Sequence, residues 1–162
     1  MINDFIDKRD SIDSGDFINT SNSGRYTSGG RDVRPYVPQE VVRIIEPVLN
    51  ALSKTENRSI VDQVGEVIGD IVELVLRLNG SKLEISNLPP LYGTNLDDGS
   101  FLIEWISTKY RVGFIIDPDP KESIWYLITR GESSDSTLSG SLTSHESKAT
   151  LSQLVSYVAL NS

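Results

Sequence analysis

A chain of 162 residues is long enough for one domain with a substantial core, plus an appendage. With no cysteine it has no disulfide, thiolate metal site or cysteine nucleophile, and its one histidine, His145, rules out a His-His metal motif. Its net charge of −8 divides as 5−6, 4−7 and 6−10 over 1–37, 38–80 and 81–162, that is −1, −3 and −4.

Acid spread along the chain without a Lys/Arg cluster argues against nucleic acid as a partner. It favours encounter with a basic protein. The longest apolar-rich stretch, Ile60 to Leu78, carries Asp62, Glu66, Asp70, Glu73 and Arg77, too many charges for a membrane span. The first ten residues hold no apolar run of signal-peptide length. The expected setting is a reducing cytoplasm, with no membrane partner.

Residues 1–37 are Ser, Asn, Asp and Gly with scattered Arg and are expected to be a disordered tail. Asp4-Phe5-Ile6-Asp7 and Asp16-Phe17-Ile18-Asn19 echo one another, each an apolar pair between polar residues. That is the look of a docking peptide, although an idle terminus has the same composition.

From Pro38 to Thr55, Val41, Val42, Ile44, Ile45, Val48, Leu49 and Leu52 share one helical face, with Pro38 in the first turn and a kink or break expected at Pro47. Ser59-Ile60-Val61-Asp62 has the form of a helix start with Ser59 as N-cap. From there Ile60, Val64, Val67, Ile68, Ile71, Val75 and Leu78 recur at helical spacing. Gly65 and Gly69, one turn apart, are expected to admit a close neighbour. Asn79-Gly80 reads either as a helix stop or as a hairpin turn between Leu74–Leu78 and Lys82–Ile85; the cap and the long period favour helix to about Leu78.

Leu88-Pro89-Pro90 leads in extended form to three strand-like runs, Phe101–Ile106, Tyr110–Ile116 and Ile124–Arg130. Pairing Trp105 with Val112, Ile103 with Phe114 and Phe101 with Ile116 makes one face wholly apolar. Glu104 then lies on the other face with Leu102, Ile106, Arg111 and Ile115. The third strand adds either Trp125 and Leu127 or Tyr126 and Ile128 to that face. Strands apolar on both sides are expected to be covered on both, by the helices. If they are not, the second face is where a partner or a second copy docks. Thr137–Thr143 alternates weakly as a fourth strand, and Thr150-Leu151-Ser152-Gln153 has capping-box form before a closing helix.

Asp98-Gly99 is turn chemistry, as is Asp117-Pro118-Asp119-Pro120. Asp97 and Glu104 sit at opposite ends of an extended run, roughly 23 Å apart at about 3.3 Å per residue, too far for one metal ion. Asp62, Glu66, Asp70 and Glu73 form the solvated back of the second helix. His145 has hydroxyls and an acid as chain neighbours, which is not a triad. No Walker loop or dinucleotide fingerprint appears.

The run Leu88-Pro89-Pro90, Asp98-Gly99-Ser100, Leu102-Ile103-Glu104-Trp105 and Gly140-Ser141-Leu142 resembles a prokaryotic family of small α+β proteins. That family carries a Pro-x-Pro, Asp-Gly and hydrophobic-Glu-Trp pattern over the part equivalent to 88–160. The resemblance implies a bacterial or archaeal source and an α+β fold. The family has no established activity, so it supplies no catalytic residue.

The expected architecture over 38–162 is thus α+β. It has a helical part over 38–80, an antiparallel meander of about four strands within 81–143, and a helix over 150–160. The expected function is a non-enzymatic interaction module, antitoxin-like or immunity-like, whose partner is a basic protein or a second copy. Glu104, Arg111, Trp125 and Tyr126 are its candidate contact residues. No catalytic residue, metal ligand or cofactor is assigned. The alternative, a small carboxylate-dependent hydrolase or metal-binding enzyme, requires Asp97, Asp98, Glu104 and Asp117 to converge.

Overall fold

The computed structural model describes residues 37–79, 85–131, 134–142 and 147–162. The tail with its two echoes, the Lys82–Glu84 arm of the hairpin alternative, and His145 lie outside the described residues. No helix among the described residues is long and apolar enough to cross a membrane.

Helix α1 (Gln39–Leu52) buries Val41, Ile44, Ile45 and Val48, the stripe that helical spacing predicts. Pro38 stands at its N-cap, where its carbonyl accepts the Val41 and Val42 N–H groups at 3.0 and 3.2 Å. Of the kink or break expected at Pro47, the break does not occur: the helix runs through the proline. Packing holds both sides of the proline: the Ile44 carbonyl accepts the Leu91 N–H at 2.7 Å, and Val48 is fully buried. Gly93 makes that approach possible, since a methyl there would come within 3.0 Å of the Val48 Cα and 2.9 Å of the Phe101 ring.

Helix α2 (Arg58–Asn79) buries Ile60, Val61, Val64, Val67, Ile68, Ile71, Val72 and Val75. Its cap is Asn57 and not Ser59: the Asn57 Oδ1 accepts the Ser59 N–H at 3.0 Å. Both residues have cap chemistry, and the one a step earlier takes the role. The helix runs through Asn79, which settles Leu74–Leu78 as helix. At Gly69 no neighbour comes close; the glycine is exposed, with nothing within 4 Å of where a side chain would start. After a 3-10 turn (Ile85–Asn87), Arg43 straps the chain to α1 by donating to the Ser86 and Leu88 carbonyls at 3.0 and 2.8 Å.

Among the described residues the sheet has five strands where about four were expected: β1 (Tyr92–Asn95), β2 (Phe101–Ile106), β3 (Tyr110–Ile116), β4 (Ile124–Arg130) and β5 (Asp135–Ser141). They form an antiparallel meander in the order β1-β2-β3-β4-β5. The β2–β3 register is the expected one, Phe101 opposite Ile116, Ile103 opposite Phe114 and Trp105 opposite Val112. Helix α3 (Ser147–Asn161) begins three residues before the Thr150 box; Leu151, Leu154, Val155 and Val158 are buried. Tyr157 meets Tyr110 edge to face at 5.6 Å.

A core cluster joins the buried faces of the three described helices to Phe101, Ile103, Trp105, Tyr110, Val112, Phe114, Ile116 and Leu127. No residue of the opposite sheet face belongs to it. The architecture is α+β, with helices on one side of an antiparallel sheet.

Candidate functional site: the open face of the sheet

The acids of the Asp97–Trp105 stretch separate cleanly. Gly99 takes a φ of +88°, the left-handed conformation that a glycine adopts at little cost. The Asp98 Oδ1 accepts the Ser100 N–H at 3.0 Å and its hydroxyl at 2.6 Å, closing the β1–β2 turn. The Ser100 hydroxyl, then its N–H, hold the Asp98 carboxyl below its usual value. The β3–β4 turn is built likewise. The Asp117 Oδ1 accepts the Asp119 N–H at 2.8 Å, and the Asp119 Oδ1 accepts the Lys121 N–H at 3.0 Å. These carboxylates serve their own turns.

Glu104 is different. It is only 8% exposed, yet it lies on the face away from the core. Cross-strand register explains its company. Glu104 sits opposite Gly113 of β3, and Gly113 sits opposite Tyr126 of β4. With no side chain at Gly113, the Tyr126 ring lies across that position and its hydroxyl donates to the Glu104 Oε2 at 2.9 Å. Arg111, diagonal to Glu104, donates to the same oxygen from Nε at 3.1 Å and Nη2 at 2.6 Å. Burial first, and then the bond to Glu104 and its charge, push the Tyr126 hydroxyl up to about 12. The Glu104 hydrogen bond raises the already high Arg111 value further.

Around this polar cluster the face is apolar. Tyr92 and Ile106 are each 44% exposed and Ile124 38%, while Leu102, Ile115 and Ile128 are half-buried. Thr137, Ser139 and Ser141 of β5 add a hydroxyl margin, standing opposite Ile128, Tyr126 and Ile124. The expectation that helices cover both sides fails here, because all three described helices pack on the other face. The face thus carries a fixed polar cluster within an apolar surround, with hydroxyls along β5.

Three of the four candidate contact residues, Glu104, Arg111 and Tyr126, come together. Trp125 does not: it points to the helix side, where its indole lies over Gly140 so closely that a methyl there would come within 2.8 Å of Nε1. Tyr92 and Ile124 belong to the face and went unnoticed in the sequence, Tyr92 because β1 itself did.

The cluster has little chemistry to offer. One carboxylate oxygen already accepts from Arg111 and Tyr126, and the tyrosine proton is held more tightly than in water. Among the described residues no three His, Asp or Glu side chains come together as a metal ligand set. Asp97 and Asp98 lie at one turn, Asp117 at another, and Glu104 within β2. In comparisons with known proteins, no family model, curated protein or solved structure matches this chain.

Proposed function

We propose that this chain is a non-enzymatic protein-interaction module, antitoxin-like or immunity-like in kind, whose docking surface is the open face of the sheet and whose partner is a basic protein. The observation that carries the reading is a face that no described helix covers: Tyr92, Leu102, Ile106, Ile115, Ile124 and Ile128 arrayed around a neutralised Glu104–Arg111–Tyr126 cluster. Aromatic and arginine side chains fixed at the centre of an apolar patch are the usual anchors of an interface. Charge argues for the partner's chemistry. With a net charge of −8 and an outward acidic stripe on α2, the chain attracts a basic surface and repels an acidic one. The carboxylate-enzyme alternative finds no convergent acid set among the described residues to rest on.

The test is co-purification from the native host with the wild type and with an Ile106→Asp/Ile128→Asp variant, followed by reconstitution with the purified partner. A basic, stoichiometric partner that the wild type retains and the folded variant loses is the expected result. Equal retention by both, or an acidic partner, overturns the proposal.

A further inference from the structure

A second surface, separate from the open face, runs along the outer edge of β5. We propose that two copies of this chain associate through it. Strand β5 would pair antiparallel with β5 of the second copy about a two-fold axis at Leu138, joining two five-stranded sheets into one of ten.

The hydrogen-bond phase of the sheet identifies the groups on that edge. The Leu142 N–H donates to the Ser123 carbonyl at 2.8 Å, so Leu142 and Ser123 form a hydrogen-bonded pair. Such pairs alternate along an antiparallel ladder. Gly140, Leu138 and Ser136 therefore turn their backbone groups toward β4, while Ser141, Ser139, Thr137 and Asp135 turn theirs outward. The Arg130 N–H bond to the Lys109 carbonyl fixes the β3–β4 phase, and the two agree. Among the described residues no further strand pairs with β5.

Edge strands are normally kept from pairing by lysine, proline, a bulge, shortness or a covering element. The other edge follows this rule: β1 has four residues, and its approach is tied to α1 through the Leu91–Ile44 bond. Asp135–Ser141 has seven residues, no proline or lysine, and one charge, at its end. At its midpoint Leu138 is 60% exposed on the helix side, although its cross-strand partner Leu127 is buried.

A two-fold axis at Leu138 answers each of these features. Thr137 falls opposite Ser139 of the second copy and Asp135 opposite Ser141. Both are pairs of outward-facing residues, as a hydrogen-bonded ladder requires. Leu138 meets Leu138 of the second copy in a non-hydrogen-bonded pair, with Cα atoms about 4.5 Å apart and side chains closest. The self-complementary edge, outward residues opposite outward residues about Leu138, selects a second copy as the occupant. Two acidic chains repel over most of their surface, but this strand sets its one carboxylate against a serine hydroxyl. The open face stays free, so this pairing and the docking reading stand or fall separately.

The absence of cysteine allows a direct test in the full chain. Under mild oxidation Leu138→Cys is expected to form a covalent dimer, because the separation at the axis falls within disulfide reach. Leu160→Cys, at a more exposed leucine 69% accessible on α3, and Ser136→Cys, which would face Gly140 of the second copy, are expected to stay monomeric over the same time. In sedimentation equilibrium the wild type is expected to rise with concentration from 17.9 kDa toward twice that mass. Ser139→Pro removes an N–H that the monomer's own sheet does not use. It should weaken association at least about tenfold, with unchanged circular dichroism and melting. If the proline disturbs the strand, Leu138→Lys, which sets like charges at the axis, should weaken association to the same degree. A wild type that stays monomeric at several hundred micromolar overturns the proposal. So does crosslinking of Leu160→Cys or Ser136→Cys as fast as Leu138→Cys, or association that both blocking variants leave intact.

Discussion

Gly113→Ala probes the construction of the open face with one methyl group. Gly113 stands between Glu104 and Tyr126 across three strands, and a methyl there overlaps the Cζ and hydroxyl oxygen of the tyrosine. The ring must swing out and give up its 2.9 Å bond to Glu104, or β3 must shift. A hydrogen bond to a charged group contributes about 1.5–3 kcal/mol, and overpacking costs about 1–3 kcal/mol. The ring can move into solvent, so the expected net loss is about 2 kcal/mol. Without the tyrosine ring the three atoms nearest that methyl are gone, and alanine is favoured over glycine within a strand by about 0.5 kcal/mol. Urea unfolding of wild type, Gly113→Ala, Tyr126→Ala and the double variant should therefore give a coupling energy of about 2 kcal/mol. Additive effects, with coupling under about 0.5 kcal/mol, would refute the reasoning.

The remaining predictions concern the same face and its support. The folded state holds the Tyr126 proton up to about 12 against 10 for a free tyrosine, so this contribution to stability is complete below pH 10 and lost as pH rises from 10 to about 12. Chemical denaturation across that window should show a steeper decline for wild type than for Tyr126→Phe, and parallel curves would contradict the assignment. Arg111→Ala leaves the Glu104 carboxylate with only Tyr126 as donor. After allowance for the part-exposed arginine, unfolding should show a loss of about 1–2 kcal/mol. Gly93→Val forces α1 away from β1 at the Val48 Cα and should cost about 2–3 kcal/mol by thermal unfolding, whereas Gly69→Ala, with open space around it, should be neutral or stabilising.

Much of the sheet was legible because alternation on two strands leaves only one pairing that gathers every large apolar side chain on one side. That is why Phe101, Ile103 and Trp105 found Ile116, Phe114 and Val112. Strand β1 was not legible: Tyr92-Gly93-Thr94-Asn95 carries no apolar alternation, and its Gly93 lets α1 lie on it. The helix starts slipped for a local reason. Asn57 and Ser59 are interchangeable as caps on paper, and Lys148 and Ala149 extend α3 ahead of the Thr150 box. Glu104 and Arg111 were placed on one face by the β2–β3 register, but Tyr126 depended on the phase of β4, which alternation left open between Trp125 and Tyr126. A signal was present in Gly113, a lone glycine within Tyr110-Arg111-Val112-Gly113-Phe114-Ile115-Ile116. A gap in so bulky a strand marks where a neighbouring ring crosses it.

Amide chemical-shift mapping during titration with the co-purifying partner tests the docking proposal most directly. Perturbations gathered on Tyr92, Leu102, Ile106, Arg111, Ile115, Tyr126 and Ile128, and lost in the Ile106→Asp/Ile128→Asp variant, are what the account predicts. Perturbations confined to the outward side of α2, around Asp62, Glu66 and Glu73, with the open face unchanged, would contradict it.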